Sequence, residues 1–364
     1  MEEEVKNDGQ VQRETPSPAD ENQTEQTVEQ TEEQTRQQEA EQAQEPGEGQ
    51  EKQKGKGRGR RVIKRISQAV AGFVVISITA TEAMMFILFG RADPVLDRPF
   101  AILDWASQQG YTTASLEFPS GDNTLKGYYI VPEDPAALIL LVHGVRSSSD
   151  ALEPVVKYFV ENSYAVMTFD GTASGRSQGD RTVGLQQQRY DIQAALSAIR
   201  QDPAVASLTL ALLGHSAGGY GVAVEAGQSG AVAAVCVSGF ESPLNTMRFW
   251  AARYVGPLTD IEYPFLWLRE HVAKGDDANA SASQALADSA IPAMVIHGQE
   301  DAVVDLDISL YQAISEKDAP NVRQILVRDP RSSGHTNILV SEDGLNYDVL
   351  DSILLFLDQQ VYSQ

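Results

Sequence analysis

The residues best suited to chemistry lie in Gly214-His215-Ser216-Ala217-Gly218, a G-x-S-x-G pattern. Small residues around the serine let the backbone turn sharply and push Oγ into the open, the geometry of a nucleophile elbow. The apolar run Leu208–Leu213 before it reads as a buried strand, and Tyr220–Ala226 after it continues as a helix. A serine hydroxyl is a weak nucleophile near neutral pH, so Ser216 needs a base and a group to orient that base. The chain has five histidines. His143 and His297 each end an apolar strand just before a glycine, His215 sits inside the elbow, and His271 lies in a later helical insertion. His335, in the loop Ser332-Ser333-Gly334-His335-Thr336 after the last strand, can be carried over Ser216, and we expect it to be the general base and acid. The orienting acid should fall between Ser216 and His335 in the chain. Asp301, at the end of the core strand Ala293–Ile296, fits best; Glu300 is its near rival and Glu241 a distant one.

The oxyanion formed on an attacked carbonyl needs preorganised donors. The backbone N–H of Ala217, directly after the nucleophile, is one. The second is expected from His143-Gly144-Val145-Arg146, the loop after strand Ala137–Val142, with the N–H of Val145 as candidate. Gly144 permits close approach, and His143 reads as a brace for this loop. Arg146 faces either an anionic group of the substrate or solvent.

These side chains must be positioned by an α/β scaffold. Ala114–Phe118 and Lys126–Val131 read as strands joined by a hairpin at Ser120-Gly121-Asp122-Asn123. Ala137–Val142, Ala165–Phe169, Val232–Val237, Ala293–Ile296 and Val322–Val327 read as core strands. Helices are expected over Asp150–Glu161, Leu185–Arg200, Asp305–Ser315 and Leu345–Leu357. Alternating strands and helices imply a mostly parallel sheet covered on both faces, with an antiparallel edge from the leading hairpin. Residues 240–289 break the rhythm. They carry Phe249, Trp250, Tyr254, Tyr263, Phe265 and Trp267, and read as a helical cap over the strand ends. Its aromatics either form the cap's own small core, line an apolar substrate pocket, or touch a membrane surface.

His143-Gly144, Asp170-Gly171-Thr172-Ala173-Ser174-Gly175-Arg176-Ser177, Gly214–Gly218, His297-Gly298-Gln299-Glu300-Asp301 and Gly334-His335 fall in the order and spacing of the α/β-hydrolase superfamily. Over roughly residues 99–360 the chain resembles bacterial serine hydrolases of the esterase and acylaminoacyl-peptidase-like group. The resemblance implies an eight-stranded sheet and the Ser216, Asp301, His335 triad, without cofactor or metal. The chain departs from that pattern at Thr172-Ala173, where relatives often carry Arg-Gly. Haloalkane dehalogenase and epoxide hydrolase chemistry is disfavoured, because those relatives place aspartate at the elbow.

The net charge is −23, but it is unevenly spread. Residues 1–50 carry 15 acidic and 3 basic side chains, whereas residues 51–65 carry 8 basic and one acidic. The acidic excess argues against nucleic-acid binding, which needs a basic surface. Residues 1–60, rich in Glu, Gln, Thr and Gly, cannot bury enough surface to offset chain entropy and are expected to be disordered, a solvated spacer or a partner-binding tail. Residues 61–92 read as a basic flank and a single transmembrane helix; Ala69–Phe89 is long enough to cross a hydrocarbon core. Glu82 is its weak point, since a carboxylate there must be protonated, snorkel, or face a partner helix. A cleaved signal peptide fits less well, because the start is long and acidic and no clear A-x-A site follows; a buried soluble helix is the other alternative. Basic residues before the span place the N-terminus in the cytoplasm and the catalytic domain, residues 93–364, outside. The single cysteine, Cys236, lies in an apolar run and reads as a buried small hydrophobe.

Together these features predict a membrane-anchored serine hydrolase that cleaves a carboxylic ester, or an amide or thioester, of a small-molecule or lipid-like acyl substrate. An acyltransferase or peptidase would use the same triad. A non-catalytic, membrane-anchored binding module is the alternative from another class.

Overall fold

The computed structural model describes residues 48–91, 93 and 95–363. The expected disorder of the acidic tail lies, for residues 1–47, outside the described residues. The chain divides into two compact units, Met1–Val74 and Val75–Gln364.

Helix α1 (Glu48–Phe89) begins within the stretch whose composition suggests disorder, which here is rich in the good helix formers Glu, Lys and Gln. In the first unit its apolar side chains, among them Val62, Ile63, Ile66, Val70 and Phe73, are exposed. Over Arg58–Phe89 it is long and apolar enough to cross a membrane, with a mean hydropathy of 2.0 in its most apolar window.

In the second unit the end of α1 is a different kind of element. Ser77, Thr81, Met85 and Phe89 are buried, and their four-residue spacing makes them one helix face. Met85 and Phe89 belong to the main apolar core, with Leu185, Phe240, Leu244 and Leu266. The chain after the helix is stitched to the domain. Thr182 N–H donates to Phe89 O at 2.8 Å and Arg91 N–H to Asp180 O at 2.8 Å. Residues expected to be a lipid-facing span and a plain linker therefore contribute to the domain interior.

Beyond them run α2 (Ile102–Gln108), β1 (Thr112–Ser120), β2 (Asn123–Val131), β3 (Leu138–Val142), α3 (Glu153–Glu161), β4 (Ala165–Asp170), α4 (Gln187–Gln201), β5 (Leu210–His215), α5 (Ala217–Ser229) and β6 (Ala233–Val237). An insertion follows, with α6 (Pro243–Val255), α7 (Leu258–Lys274) and α8 (Ala282–Asp288), in the place expected of the cap. The fold closes with β7 (Ala293–Gly298), α9 (Leu310–Ser315), β8 (Val322–Val327), a short ribbon β9 (Val340–Ser341) and β10 (Gly344–Leu345), and α10 (Tyr347–Val361).

Eight strands form one sheet in the order β1-β2-β4-β3-β5-β6-β7-β8. The β1–β2 and β2–β4 pairs are antiparallel, and every pair from β4 to β8 is parallel. Both faces are covered, so the central strands read as unbroken apolar runs. In β3, Leu138, Leu140 and Val142 enter one core layer while Ile139 and Leu141 enter the other. Cys236 is fully buried in β6. Helix α2 has no counterpart in the sequence reading; at seven residues it is too short for its period to stand out, and it is fixed by burying Ile102 and Ala106. The register matters most for function. Val142 pairs with Gly214, His215 with Val237, and Val237 with Ile296, so the loops after β3, β5, β6 and β7 emerge together at one edge.

Candidate active site

Ser216 sits between β5 and α5 with φ 59° and ψ −120°, a conformation that side-chain-bearing residues rarely adopt. Such strain costs about 1–3 kcal/mol and persists only where the surroundings impose it. Here Ser216 N–H donates to Val237 O at 2.8 Å, and its carbonyl accepts from Tyr220 N–H at 3.0 Å. The flanking glycines make the turn possible. A Cβ on Gly214 would strike the carbonyl of Gly218, and one on Gly218 would strike the carbonyl of Val142. The helix starts at Ala217, directly after the serine.

Three of the expected residues come together in one hydrogen-bonded chain. His335 Nε2 lies 2.9 Å from Ser216 Oγ, and His335 Nδ1 lies 2.7 Å from Asp301 Oδ2. The other carboxylate oxygen, Asp301 Oδ1, accepts from Val303 N–H at 2.9 Å and Val304 N–H at 2.8 Å. Burial alone would raise the Asp301 pKa, but the His335 hydrogen bond, the His335 charge and the Val304 N–H outweigh it and hold the carboxyl below its ordinary value. Asp301 is thus an anion prepared to stabilise a protonated imidazole. Glu300 is exposed, and its backbone N–H donates to Ser333 O at 3.0 Å, which ties it to the histidine loop rather than to the imidazole. Glu241 accepts from Ser283 N–H at 3.0 Å and from the hydroxyls of Ser281 and Ser283, so it organises the start of α8.

Three of the other histidines brace this centre. His215 Nε2–H donates to the carbonyl of His335 at 2.8 Å and so fastens the loop that carries the base. Burial, with the neighbouring His335 charge, pushes its pKa down to about 4, so it stays neutral through the physiological range. His143 Nε2 accepts from Gly171 N–H at 2.9 Å, which leaves the proton on Nδ1 to donate to Gly144 O at 2.7 Å. Burial lowers its pKa as well, which favours this neutral tautomer. His297 Nε2 is 3.0 Å from Val304 O and steadies the loop of Asp301. His271 stacks on Trp267 on the cap, with centroids 4.0 Å apart. Among the described residues, no three His, Cys, Asp or Glu side chains are grouped to hold a metal ion.

Val145 and Ala217, the expected oxyanion donors, both line a cavity of about 400 Å³. Gly144 runs so close to the nucleophile that a Cβ there would lie 2.9 Å from the Ser216 Cβ. Arg146 adopts φ 58°, and its guanidinium reaches Ile87 O at 3.4 Å, in the last turn of α1. Phe89, Thr172, Leu185 and Gln188 complete much of the wall.

Sequence reasoning missed the two buried carboxylates behind this wall. Asp170 accepts from Ser149 N–H at 2.8 Å, Arg176 N–H at 2.9 Å and Arg176 Nη1 at 3.2 Å. Asp191 accepts from Ser120 Oγ at 2.7 Å, Thr172 Oγ1 at 2.9 Å and Thr172 N–H at 2.8 Å. The threonine at the position where the chain departs from its relatives is thus bound by Asp191. Asp170 ends a core strand and could have been singled out on that ground. Asp191 lies mid-helix and Phe89 ends an apolar stretch, so neither carried a local signal.

Residues 133–252, within the second unit, match a family model described as serine aminopeptidase, S33. No curated protein sequence matches the chain. Among solved structures, it is similar to the esterase Pf2001 of Pyrococcus furiosus, at 17% identity and a TM-score of 0.56, covering 75% of this chain and 99% of that one. It is also similar to Est1E of Butyrivibrio proteoclasticus, whose structure holds ferulic acid, at 15% identity and a TM-score of 0.51, covering 68% of this chain and 99% of that one.

Proposed function

We propose that this chain, which has the fold of the α/β-hydrolase superfamily and is a hydrolase by that kinship, cleaves a carboxylic ester, or an amide or thioester, through an acyl-enzyme on Ser216. The observation that carries the reading is the unbroken chain from Ser216 Oγ to His335 to Asp301, at 2.9 and 2.7 Å, on a strained elbow. His335 Nε2 takes the hydroxyl proton as Oγ attacks the carbonyl. Asp301 holds Nδ1–H and offsets the charge of the imidazolium. The carbonyl oxygen, now an anion, is received by the N–H groups of Val145 and Ala217. His335 then returns the proton to the leaving alcohol, amine or thiol. Water attacks the acyl-enzyme by the same route, regenerating Ser216 and releasing the acid.

The esterase named among the similar structures favours an ester. Phe89, Val145, Leu185 and Ala217 give the cavity an apolar side suited to an acyl chain. The test uses the full chain in detergent micelles against p-nitrophenyl esters of increasing acyl length. Wild type should turn over, and Ser216→Ala should lose at least about 10³-fold in kcat while folding normally. Failure of wild-type protein to react with a fluorophosphonate probe at Ser216 would overturn the proposal.

The same proposal takes α1 as a single membrane anchor, with the N-terminus in the cytoplasm and the catalytic unit outside. The apolar length of the helix and the basic residues before it support this.

A further inference from the structure

Helix α7 of the cap buries Leu266 in the core, yet it also turns a charge inward and a row of apolar side chains outward. An ordinary surface helix turns its apolar face inward and its charges to water. In α7, Glu270 is fully buried, and its carboxylate is bonded by Arg269 and Lys274 on the same helix and by Gln186 Nε2 at 3.1 Å. The outward face carries Leu258, Ile261, Leu268 and Val272, exposed to 59%, 50%, 53% and 78%. Their spacing of three, seven and four residues is that of one helix face. Tyr254, just before the helix, is 84% exposed. Four large aliphatic side chains in one exposed line exceed what scattered surface apolars account for.

Two contacts show what lies beside this face. Ser77 Oγ of α1 donates to Glu262 at 3.0 Å, and Arg269 Nε donates to Glu82 at 2.7 Å. Both partners advance in the same direction, so α7 runs alongside the last turns of α1. Glu82, the costly residue of the apolar stretch, is answered by a guanidinium from the cap. On α1 itself, Phe86 and Ile87 remain 63% and 68% exposed next to the buried Met85.

Depth can be counted along the sequence. The basic run ends at Arg65. About 20–25 apolar residues span a hydrocarbon core, which brings the far boundary between Met85 and Gly90. Ser77 and Glu82 then fall in the leaflet on the catalytic side, and so do the cap residues bonded to them.

We infer that the outward face of α7, with Phe86 and Ile87, is a lipid-facing surface embedded in the leaflet on the catalytic side, so that the cap and the anchor enter the membrane together. The inference rests on the anchor reading of α1. The occupant of the face is acyl chain. A second copy of this chain would also cover it, but would not place the Glu82–Arg269 pair at a matching depth. Within the leaflet, that pair removes the cost of an isolated carboxylate. Phe89, one turn past Met85, lines the cavity that also holds Val145 and Ala217, so that cavity, beside the proposed nucleophile Ser216, lies at the level of the lipid ester groups.

The test places single cysteines at Ile261, Leu268 and Val272 in the full chain, with Phe86→Cys and Leu355→Cys as references. Leu355 is 61% exposed on α10, away from the cap, and the native Cys236 is buried and will not label. Each variant carries an NBD fluorophore in phosphatidylcholine nanodiscs, with or without lipids spin-labelled on the acyl chain. Fluorophosphonate labelling of Ser216 reports that each variant is folded. The expected result is loss of fluorescence at the three cap sites matching that at Phe86→Cys, with no loss at Leu355→Cys. Loss at Phe86→Cys alone would overturn the inference while leaving the anchor intact. No loss at Phe86→Cys would overturn the anchor reading and this inference with it. Blue-shifted but unquenched cap probes would identify a second protein copy as the occupant and overturn the lipid assignment. Turnover of p-nitrophenyl esters, measured in parallel, reports on the hydrolase reading separately.

Discussion

Asp301 and Glu300 are neighbours in sequence, yet only one reaches the imidazole. Asp301→Asn keeps the size but replaces an acceptor with an amide that forces the wrong histidine tautomer. It should lower kcat by roughly 10⁴-fold, whereas Glu300→Gln should leave steady-state kinetics near wild type. A large loss in Glu300→Gln would reverse the assignment. The lowered pKa of Asp301 adds stability that is present above the ordinary carboxylate range and lost as pH falls through the folded value. His215 has the larger consequence. Its folded pKa is pushed from 6.5 down to about 4. Between those values the unfolded chain holds a proton that the folded chain does not, so stability falls as pH drops from 6.5 toward 4 and levels below. The full contribution is on the order of 3 kcal/mol. His143 and His297, also lowered by burial, act in the same direction. His215→Gln keeps a donor for the His335 carbonyl but cannot titrate. Denaturant melts of this variant should show a shallower loss of stability across that window than wild type; an unchanged slope would mean that His215 is not buried neutral.

At the scale of elements, the end of α1 is the departure from expectation. An isolated apolar helix and a helix packed into a domain share one composition. What separates them is the set Ser77, Thr81, Met85 and Phe89, whose burial comes from the end of α1, itself part of the second unit, packing into that unit's core. Phe89 is 3% exposed and lines the cavity that holds Val145 and Ala217 as well. Phe89→Ala in the full chain should therefore cost about 3–5 kcal/mol, read as a lowered thermal midpoint in micelles. It should also widen the range of acyl lengths turned over, because the wall recedes. An unchanged midpoint would remove α1 from the core. For the same reason a chain begun at residue 97 lacks part of both core and cavity. The elbow shows the complementary case. Its strand, turn and helix follow from a short apolar run, two glycines and a serine, and they hold because the backbones of α5 and of the end of β3 leave no room for a Cβ at Gly214 or Gly218.

For the whole molecule, charge and hydropathy set a direction. The proposed anchor, with its N-terminus in the cytoplasm, calls for basic residues just before the apolar helix, and residues 51–65 supply them. Protease added outside intact cells should digest the catalytic unit and leave the tail protected. Digestion of the tail with protection of the catalytic unit would reverse the topology. The similarity to solved structures covers about three-quarters of the chain.

The sequence by itself determined the sheet, the elbow and the chain order Ser216, Asp301, His335 of the proposed triad. Each depends on local pattern: two-residue alternation or continuous apolar runs, glycines at turns, and titratable residues at strand ends. Tertiary structure alone decided which of two adjacent carboxylates meets His335, what Asp191 secures, and where the end of α1 goes. The reason is separation along the chain. Ser77 meets Glu262 across 185 positions and Ser216 meets His335 across 119. No local pattern distinguishes a leucine that faces lipid from one that faces protein; only the neighbour brought by the fold does so.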